Sequence, residues 1–367
     1  MTAPLVKRSL VYGVGAAFQR GLGLLLLPLY AHFLTLREYG ALALLNLLYQ
    51  LCNRVLLMGV DAAAMRHYFE PGVDRRRLYG AAFAWTVLCV PLGAFVLAPV
   101  ALVAGDVLLP SLGGSRLCLL VVAAALFVPV INLRIDLFRA QERARAFVTF
   151  QAVFLTGQAV AIAVGVAGLR AGLAGQLWGR LAANAAFWIV AAVSLHRFGG
   201  WAADRGWWKR LLGFGLPLVP FFLFAWANRA AGRFFLEHFA SLESVGLYAL
   251  AAQFSGVLLM AGNAADRAIV PHFYRLAKDP AQTAGLRSLA ERYTASLAVA
   301  GLAGAAVAEP VALLLTPSPY HAGAAWIAPL TAGTWLFLLF KPFQWSLTEA
   351  GRTRRLSAAQ GVGFFAA

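Results

Sequence analysis

Acidic residues are scarce: the 367-residue chain carries 15 Asp and Glu against 31 Lys and Arg, and charged residues of every kind make up 13% of it. An ordinary soluble domain devotes about a quarter of its residues to charge, so no soluble domain fits inside this sequence. Cysteine is nearly absent. Cys52, Cys89 and Cys118 all fall inside apolar runs and are odd in number, which excludes a disulfide framework and leaves them as small packing residues. There is no Gly-rich Walker motif, so direct drive by ATP is not expected. Acids also fail to pair in any sizeable loop: Glu38, Asp106, Glu237 and Glu243 are scattered over short connections. A membrane glycosyltransferase or polymerase would want such a pair for metal or base catalysis. The chain therefore reads as a non-enzyme with no cofactor.

What is abundant is hydrocarbon, with 61% of residues hydrophobic and a mean hydropathy of +0.73. Apolar runs of about twenty residues, the length needed to cross a bilayer as a helix, recur along nearly the whole chain. They fall near 9–34, 41–63, 79–104, 116–133, 146–169, 172–195, 211–232, 246–268, 292–315 and 322–346, predicting ten complete spans. The first is too long for a signal peptide and lacks the small-residue cleavage pattern, so it is expected to remain as a span. After the tenth, GRTRRLSAAQGVGFFAA opens a new apolar run that stops after about a dozen residues, too few to cross. The expectation is a partial eleventh span in a shortened chain, with a short terminal anchor as the alternative.

A net charge of +16 would suit a nucleic-acid partner, but its distribution fits membrane orientation instead. Alternate connections carry it: Lys7 and Arg8; Arg66 and Arg75 to Arg77; Arg134, Arg139, Arg143 and Arg145; Arg197, Arg205, Lys209 and Arg210; Arg275, Lys278, Arg287 and Arg292; Arg352, Arg354 and Arg355. The loops between carry few, with none for example in GDVLLPSLGGS at 105–115. The positive-inside rule puts the N-terminus and these basic loops in the cytoplasm, with no nucleic acid involved.

The chain also repeats itself. AHFLTLREYG (31–40) and EHFASLESVG (237–246) share His32/His238, Phe33/Phe239, Leu36/Leu242 and Gly40/Gly246 at one offset, with Thr35/Ser241 a conservative match. Each is preceded by a helix opening on an aromatic-Gly pair, Tyr12-Gly13 and Phe214-Gly215, and followed by Val-Leu-Leu-Met, at 55–58 and 257–260. An even number of spans separates the copies, so both halves have the same orientation: a parallel repeat about an axis along the membrane normal, with a path between the halves. The predicted organisation is a six-helix lobe at 1–195, a cytoplasmic linker at 196–210 and a second lobe at 211–367 that ends early.

These segments carry a resemblance. SLVYGVGAAFQRGLGLLLLPLYAHFLTLREYGALALLNLLYQL at the start, LFRAQERARAF at 137–147, GFGLPLVP at 213–220 and SVGLYALAAQFSGVLL at 244–259 together look like bacterial polysaccharide-biosynthesis flippases of the multidrug/oligosaccharidyl-lipid/polysaccharide superfamily. Members usually have twelve to fourteen spans, and this chain departs by stopping in the eleventh. The resemblance implies an all-α membrane protein of the bacterial cytoplasmic membrane, two helical bundles around a central cavity. It also implies alternating access, moving an undecaprenyl-diphosphate-linked oligosaccharide to the outer leaflet. Its partners would be that lipid, the bilayer and polysaccharide assembly proteins.

Charges in the wrong solvent locate the candidate site independently. Arg20 and Arg54 each lie twelve residues from the basic residues at the membrane surface, Arg8 and Arg66. At ~1.5 Å per residue that is ~18 Å of depth, beyond the reach of snorkelling. A lone charge there costs ~2.5–3.5 kcal/mol on insertion scales, so such residues face a polar cavity by default. Lys341 lies at a similar depth, eleven residues before Arg352; Arg267 is shallower, and Arg180 and Arg229 fall in the outer halves of their spans. On the second span Asn46, Gln50, Asn53, Arg54 and Asp61 recur at helical spacing and read as one polar stripe. Gln253, Asn263, Asp266 and Arg267 repeat the pattern in the other half. Arg20, Arg54, Lys341 and Arg267 are thus candidate phosphate ligands, with Gln19, Gln50, Asn53, Gln253 and Asn263 for sugar hydroxyls. For the arginines the competing role is pairing with a carboxylate such as Asp61. The competing function within the superfamily is a drug/cation antiporter, which would need membrane carboxylates; Asp61, Asp266 and Glu309 are outnumbered by cations.

Overall fold

The computed structural model describes residues 23, 25–109, 112, 114–277 and 283–349, and all regular structure among these is helical. After a helical stretch at 25–33 (α1) come α2 (Leu36–Leu57), α3 (Val60–Tyr68), α4 (Arg75–Leu108), α5 (Gly114–Leu126), α6 (Val128–Ala140), α7 (Ala144–Ala163) and α8 (Gly172–Gly199). The order continues with α9 (Arg205–Gly215), α10 (Val219–Phe239), α11 (Leu242–Ala277), α12 (Thr283–Leu315), α13 (Ile327–Leu339) and α14 (Lys341–Glu349).

Nine stretches among the described residues are long and apolar enough to cross a membrane: Leu36–Leu57, Arg75–Val103, Gly114–Ala140, Ala144–Gly168, Gly172–Gly199, Arg205–Phe239, Leu242–Asn263, Gly285–Leu315 and Ser318–Ser346. They coincide with the second to tenth spans expected from sequence. The expected first span lies mainly outside the described residues, as does the partial eleventh. Some spans extend past their expected bounds, the seventh at both ends. The fourth runs on to Ala140 because Arg134, taken from sequence as the start of a basic loop, is buried under the Phe138 ring at 3.8 Å and continues the helix. Large apolar side chains such as Phe95, Leu169 and Leu314 point outward, as a hydrocarbon solvent requires of a polytopic protein.

The repeated motif has a local physical cause. Thr35 caps α2 reciprocally with Glu38: the Glu38 N–H donates to Thr35 Oγ1 at 3.2 Å and the Thr35 N–H donates to Glu38 Oε2 at 2.9 Å. At the matching position in the second copy, the Ser244 N–H donates to Ser241 Oγ at 3.2 Å at the start of α11. Thr35/Ser241 are thus paired helix starts, each cap contributing about 1 kcal/mol.

Three of the helix interruptions among the described residues bring a glycine into close backbone contact. Between α2 and α3, Met58 and Gly59 adopt left-handed backbone conformations, φ 47° and 71°. Gly59 also lies against Gly215, where an added methyl would sit 2.5 Å from the Gly215 carbonyl oxygen; glycine is needed there for both reasons. Gly215 is itself the point where α9 passes through the 3-10 turn Leu216–Leu218 into α10. The α2/α3 break and the α9/α10 break therefore cross backbone to backbone. The third interruption is the π-helical turn Val164–Gly168 ending α7, where Gly165 packs against Gly175 of α8.

At the arginine-rich end, Asp204 caps α9 through the Gly206 and Trp207 N–H groups at 2.9 and 3.1 Å, and accepts from Arg77 Nε at 2.7 Å. Trp208 Nε1 donates to the Ala81 carbonyl at 2.9 Å, and Arg66 lies over Phe214 at 4.6 Å. The start of the seventh span is thus clamped to the ends of the second and third. The chain divides into compact units at Met1–Val245 and Gly246–Ala367. The sequence division, with its linker at 196–210, follows the repeat; the compact division falls later because α9 and α10 pack on α2 and α3. Within the second unit, Leu258, Phe273, Tyr293, Leu297, Leu338 and Trp345 form the core.

Candidate functional site

The α2 helix presents two different polar faces. Gln50 and Arg54, one turn apart, are exposed. The Arg54 guanidinium lies over the Phe222 ring of α10 at 5.2 Å, a geometry that stabilises a cation without neutralising it. Among the described residues Arg54 forms no ion pair. One turn along α10 from Phe222, Trp226 Nε1 donates to the Leu47 carbonyl at 2.9 Å and ties the two helices together. Arg54 is therefore reachable beside the crossing of two broken helices, with the Phe222 ring against it and the Asp136 carboxyl of α6 within electrostatic range but not directly paired.

The other face of α2 turns into its own bundle. Asn46 Oδ1 accepts from Arg180 Nη1 of α8 at 2.7 Å, and Tyr49 Oη accepts from Asn184 Nδ2 at 2.9 Å. Asn53, assigned from sequence with Gln50 and Arg54, is half-buried, and its Oδ1 is buried without a partner. The expected single stripe is also cut at its far end. The left-handed turn at Met58-Gly59 starts a new helix before Asp61, so Asp61 does not continue the line of Gln50 and Arg54.

In the second unit the candidates behave otherwise. Lys341, at the start of α14, pairs with Asp266 of α11 at 3.5 Å, and Trp345 Nε1 donates to the other Asp266 oxygen at 2.7 Å. Both charged side chains are largely buried, 15% and 21% exposed. Arg267 lies next to Asp266 on α11, its side chain outside what is described; Gln253 and Asn263 are half-buried on the same helix. Gln19 and Arg20 lie outside the described residues.

Sequence reasoning missed two groups. Asp136 accepts from Arg139 Nη1 at 2.8 Å inside the fourth span, hidden because that span was ended at Arg134. The Arg180 and Asn184 cluster was passed over because Arg180 lies in the outer half of its span. The signal was available: Gln176, Arg180 and Asn184 recur every four residues and mark one helix face.

A family model described as a polysaccharide biosynthesis protein matches residues 5–277. The chain belongs to that family. A protein of the Lsg locus of Haemophilus influenzae is 22% identical over 281 residues, covering 74% of this chain and 66% of the relative, so the family member here spans just under two thirds of that relative's length. Among solved structures, an inward-facing multidrug resistance MATE family transporter of the MOP superfamily superposes with a TM-score of 0.66 at 15% identity, over 90% of this chain and 80% of that one. An outward-facing one gives 0.61 at 15% identity, over 94% and 80%. At such identity the likeness is one of fold: an all-α, two-bundle membrane protein, as expected from the sequence.

Proposed function

We propose that this member of the polysaccharide biosynthesis family is a flippase. It carries undecaprenyl-diphosphate-linked oligosaccharide across the bacterial cytoplasmic membrane by alternating access, its N-terminus and basic loops inside. The observation that carries the reading is Arg54: a guanidinium within a span, exposed, propped by an aromatic ring and in direct ion pair with no carboxylate among the described residues, Asp136 acting on it only at longer range. A diphosphate is the complementary ligand, since guanidinium forks bind phosphate oxygens bidentately and such bonds strengthen away from water. Gln50, one turn away and also exposed, is suited to a sugar hydroxyl. Arg20 and Gln19 on the first span are proposed to bind substrate together with Arg54; in the second unit, Arg267, Gln253 and Asn263 on α11 and Lys341, once released from Asp266, are proposed as substrate-binding residues in their own right. The isoprenoid tail stays in lipid.

The superfamily fold also serves multidrug transporters, but an unpaired guanidinium would repel the cationic drugs typical of antiporters. The test is the sidedness of lipid-linked oligosaccharide in cells lacking this protein. Accumulation on the inner leaflet, relieved by the wild-type gene, is expected. Normal sidedness together with increased drug sensitivity would overturn the reading in favour of the antiporter.

A further inference from the structure

The corner where α4, α8 and α9 meet holds more positive charge than its packing uses. An added methyl on Gly80 would sit 2.5 Å from the Gly199 carbonyl oxygen, and one on Gly199 would strike the Arg76 carbonyl oxygen. Asp204, just before α9, accepts from Arg77 Nε of α4 at 2.7 Å. The end of α8 and the starts of α4 and α9 therefore share one small surface. Membrane spans begin at Arg75 and Arg205 and end at Gly199, so that surface lies at the edge of the bilayer.

Four cations there are uncommitted. Arg76, Arg197, Arg205 and Lys209 are all exposed, and none of their side chains is hydrogen-bonded, ion-paired or stacked among the described residues. Their neighbours are occupied: Arg75 lies over the Tyr68 ring at 4.7 Å, Arg210 over the Trp207 ring at 5.0 Å, and Arg77 holds Asp204. The nearby acids are occupied as well. Asp74 accepts from the Arg76 and Arg77 N–H groups to cap α4, and Asp204 caps α9. On α9, Arg205 and Lys209 are one turn apart, on the side opposite the buried Leu211.

Membrane orientation accounts for the number of cations on this side but not for their placement. Arg76 and Arg205 stand in the first turns of α4 and α9, where the helix dipole is already positive and a cation is unfavourable. Such charges are complementary to an anion held against the surface, and two features make that anion a lipid. The patch is at headgroup level, and Trp201 of the α8–α9 connection is 49% exposed there, edge-on to Phe83 at 5.9 Å; an amphipathic indole suits the membrane interface. We propose that Arg76, Arg197, Arg205 and Lys209 form a binding surface for the phosphate headgroup of an anionic phospholipid in the leaflet on the basic side. Guanidinium forks bind phosphate oxygens bidentately, so one headgroup can bridge α9 to α4 and α8 beside the Arg77–Asp204 contact. The surface uses none of the residues assigned to transport and does not rest on the flippase reading.

The experiment is thermal unfolding of the purified full chain in detergent micelles titrated with phosphatidylglycerol or phosphatidylcholine. A ligand bound only by the folded state raises the melting temperature along a saturating curve. Phosphatidylglycerol should do so, less strongly as salt is raised, and phosphatidylcholine should not. Arg205→Gln with Lys209→Gln should move the midpoint to roughly thirty-fold more phosphatidylglycerol, and Arg76→Gln with Arg197→Gln should do likewise; if one pair fails to fold, the other decides. Arg143→Gln with Arg145→Gln removes the same charge from another exposed basic loop and should leave the midpoint in place. Four results would each overturn the proposal: equal shifts from the two lipids, a full response in the Arg205/Lys209 and Arg76/Arg197 variants, an equal loss in the Arg143/Arg145 variant, or a saturating shift from inorganic phosphate in lipid-free detergent that the same pairs abolish.

Discussion

Two cations placed at comparable depth in the two halves of this chain have solved the same problem differently. Lys341, in the second unit, has brought a carboxylate with it: Asp266 lies 3.5 Å away and is held on its other oxygen by Trp345. Arg54, in the first unit, has a phenyl ring at 5.2 Å and no directly paired acid among the described residues, Asp136 acting on it only at longer range. Burying a paired charge is close to neutral on balance, whereas an uncompensated one is a standing cost. A protein that keeps the second kind within reach of a ligand keeps it for an anion. The contrast ranks Arg54 ahead of Lys341 as a binding residue, although depth along the sequence alone made them equals.

The largest effect should come from removing the charge that has no direct ion-pair partner. Arg54→Ala deletes charge-assisted hydrogen bonds worth ~1.5–3 kcal/mol, which converts to roughly a 10–150-fold loss of glycan export at matched expression. Arg54→Lys keeps the charge without the planar fork and should retain intermediate export. Surface glycan measured in a strain lacking the native gene checks both. Undiminished export by Arg54→Ala would erase the distinction between the two cations as drawn.

Next is the backbone crossing that holds the Arg54 face in place. Gly59→Ala puts a methyl 2.5 Å from the Gly215 oxygen at a residue with φ 71°, combining strain and overlap. A loss of ~2–4 kcal/mol is expected, read as a lower melting temperature in detergent. Gly213→Ala, where an added methyl meets nothing within 4 Å, is the matched control and should leave melting unchanged. Equal behaviour of the two variants would show that the broken helices are not locked there.

The Lys341–Asp266 pair sharpens the comparison from the other side. Lys341→Met alone strands a partly buried carboxylate and should destabilise by ~1–3 kcal/mol, less than a fully buried pair because both groups keep some solvent contact. Lys341→Met combined with Asp266→Asn should recover most of that loss, a non-additivity of the kind double-mutant cycles detect. If the double variant instead loses export as completely as Arg54→Ala, Lys341 belongs with Arg54 as a binding residue.

How much of this was legible in the sequence depends on which force set it. Spans two to ten were readable because bilayer thickness imposes a run length on any helix that crosses it. The repeat was readable too, and Thr35 and Ser241 show why: a helix start in each half needs a hydroxyl to hold its first N–H groups. The interruptions were not. Met58-Gly59 resembles the surrounding Leu- and Gly-rich sequence, and the reason for its left-handed turn lies on another helix, at Gly215. The α2 stripe failed for the same reason. Spacing put Asn53 with Arg54, but a helix flanked on more than one side offers more than one polar face, and the partners on α8 decide which side chain turns inward. Arg134 misled most simply, since a charge near a span end is usually a boundary; here it rests on a ring one turn along and the helix continues.

The smallest effect concerns the clamp at the arginine-rich end of the first unit. The Asp204 carboxyl is held below its ordinary value, first by the Trp207 N–H, which outweighs the opposing effect of desolvation, with the Arg77 guanidinium and the Gly206 N–H adding to the depression. A depressed folded-state value means that Asp204 contributes stability at and above the ordinary aspartate range, about 3.9. That contribution fades as pH falls from there through the lower folded value. At neutral pH the clamp is fully formed. Melting followed from neutral pH down to about pH 3 should therefore fall more steeply for the wild type than for Asp204→Asn, which keeps a capping oxygen but has no charge to lose. Because the group is at the surface, raising salt should shrink the difference further. Parallel pH curves for the two proteins would remove Asp204 from the clamp and leave Trp208 and Ala81 to hold the seventh span to the third.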